Sequence, residues 1–239
     1  MSTNGERDAQ PLWTRWRTAL AEAERWRPPA GRVLVVAPHP DDEVLATGAL
    51  LAGAHDAVLL AVTDGEAAYP QQVAPETLAG RRRCEQDAAA RALGVGSTRI
   101  ERLGIPDGSV AAHEGRLAEA IAELAVGCSL VVAPWVHDHH GDHEACGRSA
   151  VAAVAALGPA CRPMLVHSVF WGWQYQRPGV RRRWLRLAIT PEHRHRRNAA
   201  MLHHRSQLTT ELVPQPILRP DDLEPLRWRS EYYLAAGAR

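Results

Sequence analysis

The sequence contains no lysine, and all 28 of its cationic residues are arginine. They are balanced by 27 acidic residues, so the formal net charge is +1. A dedicated nucleic-acid-binding protein normally carries a strong basic excess, clustered on one face. The balance of charge therefore argues against nucleic acid as a partner, and the arginine content reflects codon usage better than recognition.

Cysteine is scarce, and Cys84, Cys128, Cys146 and Cys161 have neither the close spacing of a zinc knuckle nor the density of a secreted disulfide scaffold. We expect reduced thiols and a cytoplasmic protein. Residues 1–10 are polar, without the apolar core of a signal peptide. No later apolar run approaches membrane-spanning length, so we expect no membrane insertion.

What the sequence does contain is an alternation of short apolar runs with alanine-rich segments. The run Arg32 to Ala37, which lacks polar alternation, is typical of a parallel strand buried on both faces. The pattern predicts strands at 32–37, 57–62, 98–103, 128–133 and 164–171, and helices near 43–54, 77–93, 112–126, 143–157 and 191–207. This order predicts an α/β fold with a doubly wound, mostly parallel sheet and helices on both faces.

A chain of 239 residues with 46% hydrophobic content can bury one substantial core, and we expect a single domain over 1–239. Within it, residues 1–30 are expected to form an N-terminal tail and a helix near 12–26. Residues 32–207, which hold the predicted strands and most of the predicted helices, would form its main part. Residues 208–239 would form a C-terminal extension, although their pattern assigns no helix or strand.

Residues suited to catalysis follow the first predicted strand, in the segment His39–Glu43 (HPDDE). Open α/β sheets bind ligands beyond the carboxyl ends of their strands. One imidazole and two adjacent carboxylates can take different roles there, since one carboxylate can ligate a metal while the other faces a bound water. The alternative is that Asp41 or Asp42 only caps the following helix.

A second polar cluster, Pro134 to His143, follows the fourth predicted strand. It contains four histidines within seven positions, with Asp138 and Asp142 between them. Such a segment suits nitrogen ligands and supporting carboxylates better than it suits a core. An exposed histidine-rich loop would explain one cluster alone. Two clusters, each at the end of a predicted parallel strand, favour a metal site, although His137 and His139 permit other ligand sets.

Together, the segments His39–Glu43 (HPDDE) and His140–His143 (HGDH) resemble the PIG-L/LmbE-like family of zinc-dependent N-deacetylases. The similarity extends from about residue 32 to residue 207, which the resemblance implies is the catalytic core. The resemblance implies a Rossmann-like fold and an enzyme that removes the N-acetyl group of a small N-acetylglucosaminyl conjugate. The number of copies of the chain in an assembly stays open, and a homo-oligomer is compatible with the sequence.

The resemblance further implies that His39, Asp42 and His143 bind one zinc ion per chain, with Fe²⁺ as a possible replacement. Two histidines and one carboxylate leave a coordination position open, which is typical of catalytic zinc rather than of closed structural sites. Water would complete the coordination.

Other roles are also carried over from the resemblance. Asp41 would be the general base, His140 would stabilise the oxyanion or protonate the leaving amine, and Asp142 would orient His140. Arg82 and Asp107 resemble substrate-contact positions, where a guanidinium and a carboxylate could bind sugar hydroxyls. A solvated helix start and ordinary turn chemistry would explain Arg82 and Asp107 equally well.

Three aromatic residues, Trp171, Trp173 and Tyr175, would share one face if the strand near 164–171 continued, where they could stack on a sugar or pack in the core. The segment His203–Gln207 also resembles a late family segment, but we assign it no chemistry.

Three other functions fit parts of the pattern. A dinucleotide-dependent oxidoreductase is disfavoured, because no G-x-G-x-x-G turn follows the first strand and acidic residues occupy the place of a pyrophosphate. A noncatalytic metal- or carbohydrate-binding module would not need Asp41 beside the metal. An amidase acting on a larger N-acyl or thiol conjugate differs only in pocket size.

Overall fold

A computed structural model of the protein describes Trp16 and residues 20–94, 99–175 and 182–236. The strands in these residues are β1 (Glu24–Trp26), β2 (Arg32–Ala37), β3 (Ala57–Ala61), β4 (Arg99–Arg102), β5 (Cys128–Pro134), β6 (Met164–Ser168), β7 (Trp184–Ala188) and β8 (Ser230–Ala235). They form one sheet in the order β1-β7-β8-β6-β5-β2-β3-β4. The described neighbours pair in parallel, except that β8 runs antiparallel to both β6 and β7.

From Asp42 onward, the α-helices of the described residues are α1 (Asp42–Leu45), α2 (Gly48–Gly53), α3 (Pro75–Ala92), α4 (Glu114–Ala125), α5 (Gly141–Ala156), α6 (Gly172–Tyr175), α7 (Pro191–Met201) and α8 (Arg205–Leu208). Short 3₁₀ helices cover Val110–His113, Pro159–Cys161 and Pro220–Arg227. The helix predicted near 43–54 is thus divided into α1 and α2, and the one predicted over 191–207 into α7 and α8.

The central strands are buried on both faces because their side chains alternate between two apolar cores. In β2, Val33 and Val35 pack in one core with residues of α2, α3 and α7. Leu34 and Val36 pack in the other core with residues of α4 and α5. This arrangement confirms the predicted single-domain α/β fold with a mostly parallel sheet between helices, and it is compatible with a Rossmann-like fold.

Two predicted elements need correction. The strand predicted over 164–171 ends at Ser168, and α6 begins at Gly172. The condition under which Trp171, Trp173 and Tyr175 would share one face is therefore not met. The Trp173 ring is instead buried, 4.8 Å from the ring centroid of Trp16.

The N-terminal helix predicted near 12–26 falls partly on residues 12–15 and 17–19, which lie outside the described residues. Trp16 and Leu20 are helical, but β1 replaces the predicted helix end at Glu24–Trp26, where the chain pairs with β7.

The C-terminal region, to which the sequence pattern assigned no helix or strand, contributes β8 between β6 and β7. Its buried Glu231 accepts the backbone N–H groups of Ala49 and Leu50 at 2.7 and 2.9 Å. The same carboxylate lies 3.4 Å from the buried guanidinium of Arg197. These contacts attach the end of the chain to the first turn of α2 and to α7.

The sheet order also positions the two polar clusters. Strands β2 and β5 are parallel neighbours, with Val33 opposite Leu130 and Val35 opposite Val132. The turn after β2 and the loop after β5 therefore emerge side by side at the carboxyl edge of the sheet, as predicted. None of the helices in residues 20–94, 99–175 and 182–236 combines the length and the apolar character of a membrane span.

Candidate active site

The turn after β2 carries an unusual backbone conformation at Asp41, whose φ is 131°. A non-glycine residue in such a region costs on the order of 1–3 kcal/mol and persists only where its surroundings hold it. The Asp41 carbonyl accepts the N–H groups of Val44 and Leu45, both at 2.9 Å, and so starts α1. The Asp41 side chain makes no helix-capping hydrogen bond, so capping does not account for this carboxylate.

His39, Asp42 and His143 converge at one point between the turn and the loop. Asp42 Oδ2 lies 3.2 Å from His39 Nδ1 and 3.3 Å from His143 Nε2. His143 Nε2 is buried and makes no well-formed hydrogen bond. One ligand atom from each residue lies within 4.8 Å of the others, which is close enough for a single ion.

The chemistry of this group fits a divalent metal. Two imidazole nitrogens and one carboxylate oxygen are ligands that zinc accepts. Burial favours a lower pKa for His143, but Asp42 and Asp138 outweigh it and raise the pKa to about 9. Burial likewise favours a higher pKa for Asp42, but His143 and His39 hold it well below its ordinary value. In the metal-free protein, the proton on His143 thus balances the negative charge of Asp42. A bound cation would take over that role, and metal binding would release the proton.

The other ring nitrogen of His39 faces two carboxylates. His39 Nε2 lies 3.1 Å from Asp107 Oδ1 and 3.2 Å from Asp142 Oδ2. Asp142 also accepts the backbone N–H groups of Gly108 and Val110 at 2.7 and 3.1 Å. These contacts direct Asp142 to His39, whereas the resemblance implied that it orients His140.

Asp107, predicted as a substrate contact, is in this structure a partner of the His39 imidazole. Its Oδ2 also accepts the N–H of Ala67 at 3.0 Å. Although burial opposes the shift, His39 and Ala67 lower the pKa of Asp107 to about 2. An ionised carboxylate at Nε2 favours the tautomer that leaves Nδ1 facing Asp42.

His140 lies beside both metal-ligand candidates, with its ring centroid 5.0 Å from that of His39 and 4.9 Å from that of His143. Its Nδ1 is buried without a hydrogen-bond partner. Burial, together with the charges of His143 and His39, lowers the pKa of His140 to about 4. His140 also belongs to a second possible ligand set with His39 and Asp142. In that set, however, both Asp142 oxygens already accept backbone N–H groups, from Gly108 and Val110.

Arg82, the other predicted substrate contact, is buried behind the turn. Its two terminal nitrogens donate to the carbonyls of Gly65 and Pro40, both at 2.8 Å. One of them also lies 3.6 Å from Asp41 Oδ2. Burial raises the pKa of Asp41 to about 7, against the opposing charge of Arg82. In this structure Arg82 therefore supports the turn and the Asp41 carboxylate, and its contact with a substrate stays a prediction.

Sequence reasoning missed a buried group beneath Asp41. Glu43 Oε2 accepts the N–H of Asp41 at 3.0 Å and an N–H of Gln86 at 3.2 Å. Glu43 Oε1 lies 3.2 Å from His204 Nε2. Two signals pointed here, namely the last residue of the HPDDE segment and the segment His203–Gln207. Neither signal shows that Glu43 and His204, which are far apart in the chain, meet under the turn.

Comparisons with known proteins agree with this fold. The PIG-L family, described as GlcNAc-PI de-N-acetylase, matches residues 34–154. No curated protein matches the chain. A conserved protein of Thermus thermophilus has a similar structure, with a TM-score of 0.63 and 28% identity over 87% of this chain and 95% of its own.

Two further similar structures are deacetylases. The N,N'-diacetylchitobiose deacetylase of Pyrococcus horikoshii has a TM-score of 0.60 and 21% identity, covering 86% of this chain and 83% of its own. A deacetylase of the teicoplanin biosynthetic pathway has a TM-score of 0.63 and 20% identity, covering 85% of this chain and 97% of its own. At these identities the likeness concerns the fold. The family match spans just over half of the chain, and it includes both polar clusters, so this chain belongs to the PIG-L family.

Proposed function

We propose that this protein is a metal-dependent hydrolase that removes the N-acetyl group from an amino-sugar conjugate of the N-acetylglucosaminyl class. The products would be acetate and a free amine. The observation that carries the proposal is the convergence of His39, Asp42 and His143 on one point, with the buried Asp41 carboxylate on the adjacent residue of the same turn. Membership of a family of de-N-acetylases supports the choice of reaction.

His39, Asp42 and His143 would hold one zinc ion per chain, and Fe²⁺ is the alternative that the same nitrogen and oxygen donors accept. When bound, such an ion polarises a carbonyl group and lowers the pKa of the water that it binds toward about 7. The chain's own contribution is to fix the three donors. Asp107 and Asp142 hold His39 from one side, while His143 faces Asp42 from the loop after β5.

Asp41 would act as the general base. Its carboxylate is buried and is not used for capping, and Arg82 lies 3.6 Å away. In hydrolysis, the water oxygen bonds to the amide carbonyl carbon, the C–N bond breaks, and the amine nitrogen gains a proton. Asp41 would accept the proton from the attacking water and can return it to the leaving amine.

His140 would stabilise the oxyanion that forms at the former carbonyl oxygen. The low pKa of His140, which results first from burial and then from the nearby His143 and His39, makes its imidazole neutral in the isolated protein. A neutral imidazole has one N–H to donate, and its unpartnered Nδ1 shows that the ring has unused hydrogen-bonding capacity. We therefore assign His140 the role of hydrogen-bond donor to the oxyanion.

The proposal is tested by measuring zinc content together with acetate release from a panel of N-acetylglucosamine conjugates. Asp41→Asn, which keeps the shape of the side chain, should retain zinc and reduce the rate by about 10²–10⁴-fold, the usual contribution of a general base. Asp56→Asn is the matched control, since Asp56 forms an exposed ion pair with Arg32.

Each result of this experiment has a defined meaning. If the wild type contains zinc, and acetate release is lost in Asp41→Asn but not in Asp56→Asn, both the proposed reaction and the role of Asp41 as general base are supported. Zinc without cleavage of any acetylated conjugate would reject the N-acetyl substrate and favour a larger acyl group or a noncatalytic module. Absence of zinc and of iron would reject the ligand assignment.

A further inference from the structure

Asp138 is a fully buried carboxylate that the proposed reaction does not use. Its Oδ2 lies 2.9 Å from His143 Nδ1. Its Oδ1 accepts the backbone N–H groups of Phe170 at 3.1 Å and of Gly172 at 2.8 Å. Oδ2 also accepts the N–H of Trp171 at 3.3 Å. One side chain thus connects a proposed metal ligand to three consecutive amides of the segment after β6.

The segment Phe170–Gly172, which we term the β6 loop, borders the site. The ring of Trp171 lies nearly parallel to that of His140, with their centroids 6.1 Å apart and an angle of 19° between their planes. The close approach of this loop to Asp138 requires a glycine. A Cβ at Gly172 would lie 3.0 Å from Asp138 Oδ1 and 2.8 Å from Val169 Cγ1.

We infer that Asp138 is a positioning residue with two effects: it holds His143 with Nε2 directed at Asp42, and it holds the β6 loop so that Trp171 faces His140. The first effect rests on the proposed metal site. The carboxylate favours a proton on His143 Nδ1, which leaves the Nε2 lone pair for a metal ion. The second effect rests on the amide contacts alone and needs no metal.

Two substitutions separate these effects. In Asp138→Asn, the amide oxygen can still accept from the β6 loop, but the amide NH₂ then faces His143 Nδ1. That contact favours the opposite tautomer, with the proton on Nε2. In Asp138→Ala, the three amides of the β6 loop also lose their acceptor. Because buried N–H groups without partners are costly, the loop should then open.

The test measures zinc affinity by chelator competition and, in the metal-free full-length chain, amide hydrogen exchange of residues 170–172. Asp138→Asn should bind zinc about 10–100-fold more weakly, as is typical when a partner of a metal-bound histidine is lost. It should keep the protection of the Phe170 and Gly172 amides, which donate to Oδ1, while the Trp171 N–H loses its acceptor Oδ2. Asp138→Ala should lose both. Asp56→Asn should change neither, and thermal unfolding verifies that each variant is folded.

The outcomes distinguish this inference from the proposed function. If a folded Asp138→Asn binds zinc with wild-type affinity, the role in holding His143 is overturned, whatever the rate of acetate release. Unchanged exchange in a folded Asp138→Ala would overturn the role in holding the loop. If that variant does not fold, unchanged exchange of the Trp171 N–H in Asp138→Asn would do so, because that substitution replaces its acceptor Oδ2 with an NH₂ group. Failure of the wild type to bind zinc would reject the His143 role together with the metal site. Zinc binding without deacetylation would reject only the proposed reaction.

Discussion

The two parts of the candidate site are held in different ways. The turn after β2 is short, with a strained Asp41, and its support comes from remote parts of the chain. Arg82 donates to Pro40 at 2.8 Å, and Glu43 links the Asp41 amide to Gln86 and lies close to His204. The loop after β5 is longer and is held by its own Asp138, which binds the neighbouring β6 loop.

This difference separates two tasks. The turn holds a base and a ligand in a conformation that the backbone alone disfavours, so its support must come from several buried side chains. The loop holds imidazole rings, whose tautomer and orientation one carboxylate can set. Substitutions in the support of one part should therefore leave the other part largely intact, except at Asp42, whose Oδ2 lies near ring nitrogens from both parts.

The largest effect is expected for Asp42→Ala, which removes this shared atom. Zinc affinity should fall by more than the roughly 100-fold that marks the upper end for supporting residues, and acetate release should become undetectable. Chelator competition and a kinetic assay measure the two quantities. Asp87→Asn, which removes an ion pair with Arg102 on the surface of α3, is the control. If Asp42→Ala bound zinc as the wild type does, the two parts would not share a metal.

A smaller effect is expected for Glu43→Gln, which weakens the support of the turn without touching the loop. The charged acceptor of the Asp41 N–H becomes a neutral one, and hydrogen bonds to charged groups contribute about 1.5–3 kcal/mol. The neutral amide still accepts a hydrogen bond of about 0.5–1.5 kcal/mol, so about 1 kcal/mol of support is lost. Because 1.4 kcal/mol corresponds to a factor of ten, kcat should fall by about fivefold.

Zinc affinity separates the turn from the loop in this variant. It should change much less than kcat, since Glu43 contacts none of the three proposed ligands. Glu114→Gln, at an exposed ion pair with Arg148, should leave kcat unchanged. An unaltered kcat in Glu43→Gln would show that Asp41 keeps its conformation without this carboxylate.

The same contrast explains what could be predicted from the sequence. The motif residues of the turn and the loop were found because each follows a buried apolar strand, and parallel neighbours such as β2 and β5 end at the same edge. The partners of the imidazoles were harder to assign. Asp107 carries turn chemistry that suits a surface loop, and its contact with His39 spans 68 residues of sequence. Local pattern contains no information on such a pairing.

The strand β8 was missed for a different physical reason. Its buried positions include Glu231 as well as Tyr233, so the apolar alternation that marks a half-buried strand is broken by a charge. The charge is tolerated because Arg197 and two amides of α2 satisfy it. A buried ion pair of this kind is visible only after the C-terminal region has been placed in the sheet.

The smallest effect is expected for Gly172→Ala, which disturbs the support of the loop without removing any charge. The new methyl group would lie 2.8 Å from Val169 Cγ1 and 3.0 Å from Asp138 Oδ1, so one of them must shift. Overpacking of this kind lowers the free energy of unfolding by about 1–3 kcal/mol. Denaturant unfolding measures it, and Gly115→Ala in α4, where a Cβ would meet nothing within 4 Å, should instead be neutral or slightly stabilising. Because the turn is held separately, the metal-free variant should keep wild-type hydrogen exchange around Asp41 while exchange in the β6 loop rises. Faster exchange in both places would mean that the two parts of the site are not held independently.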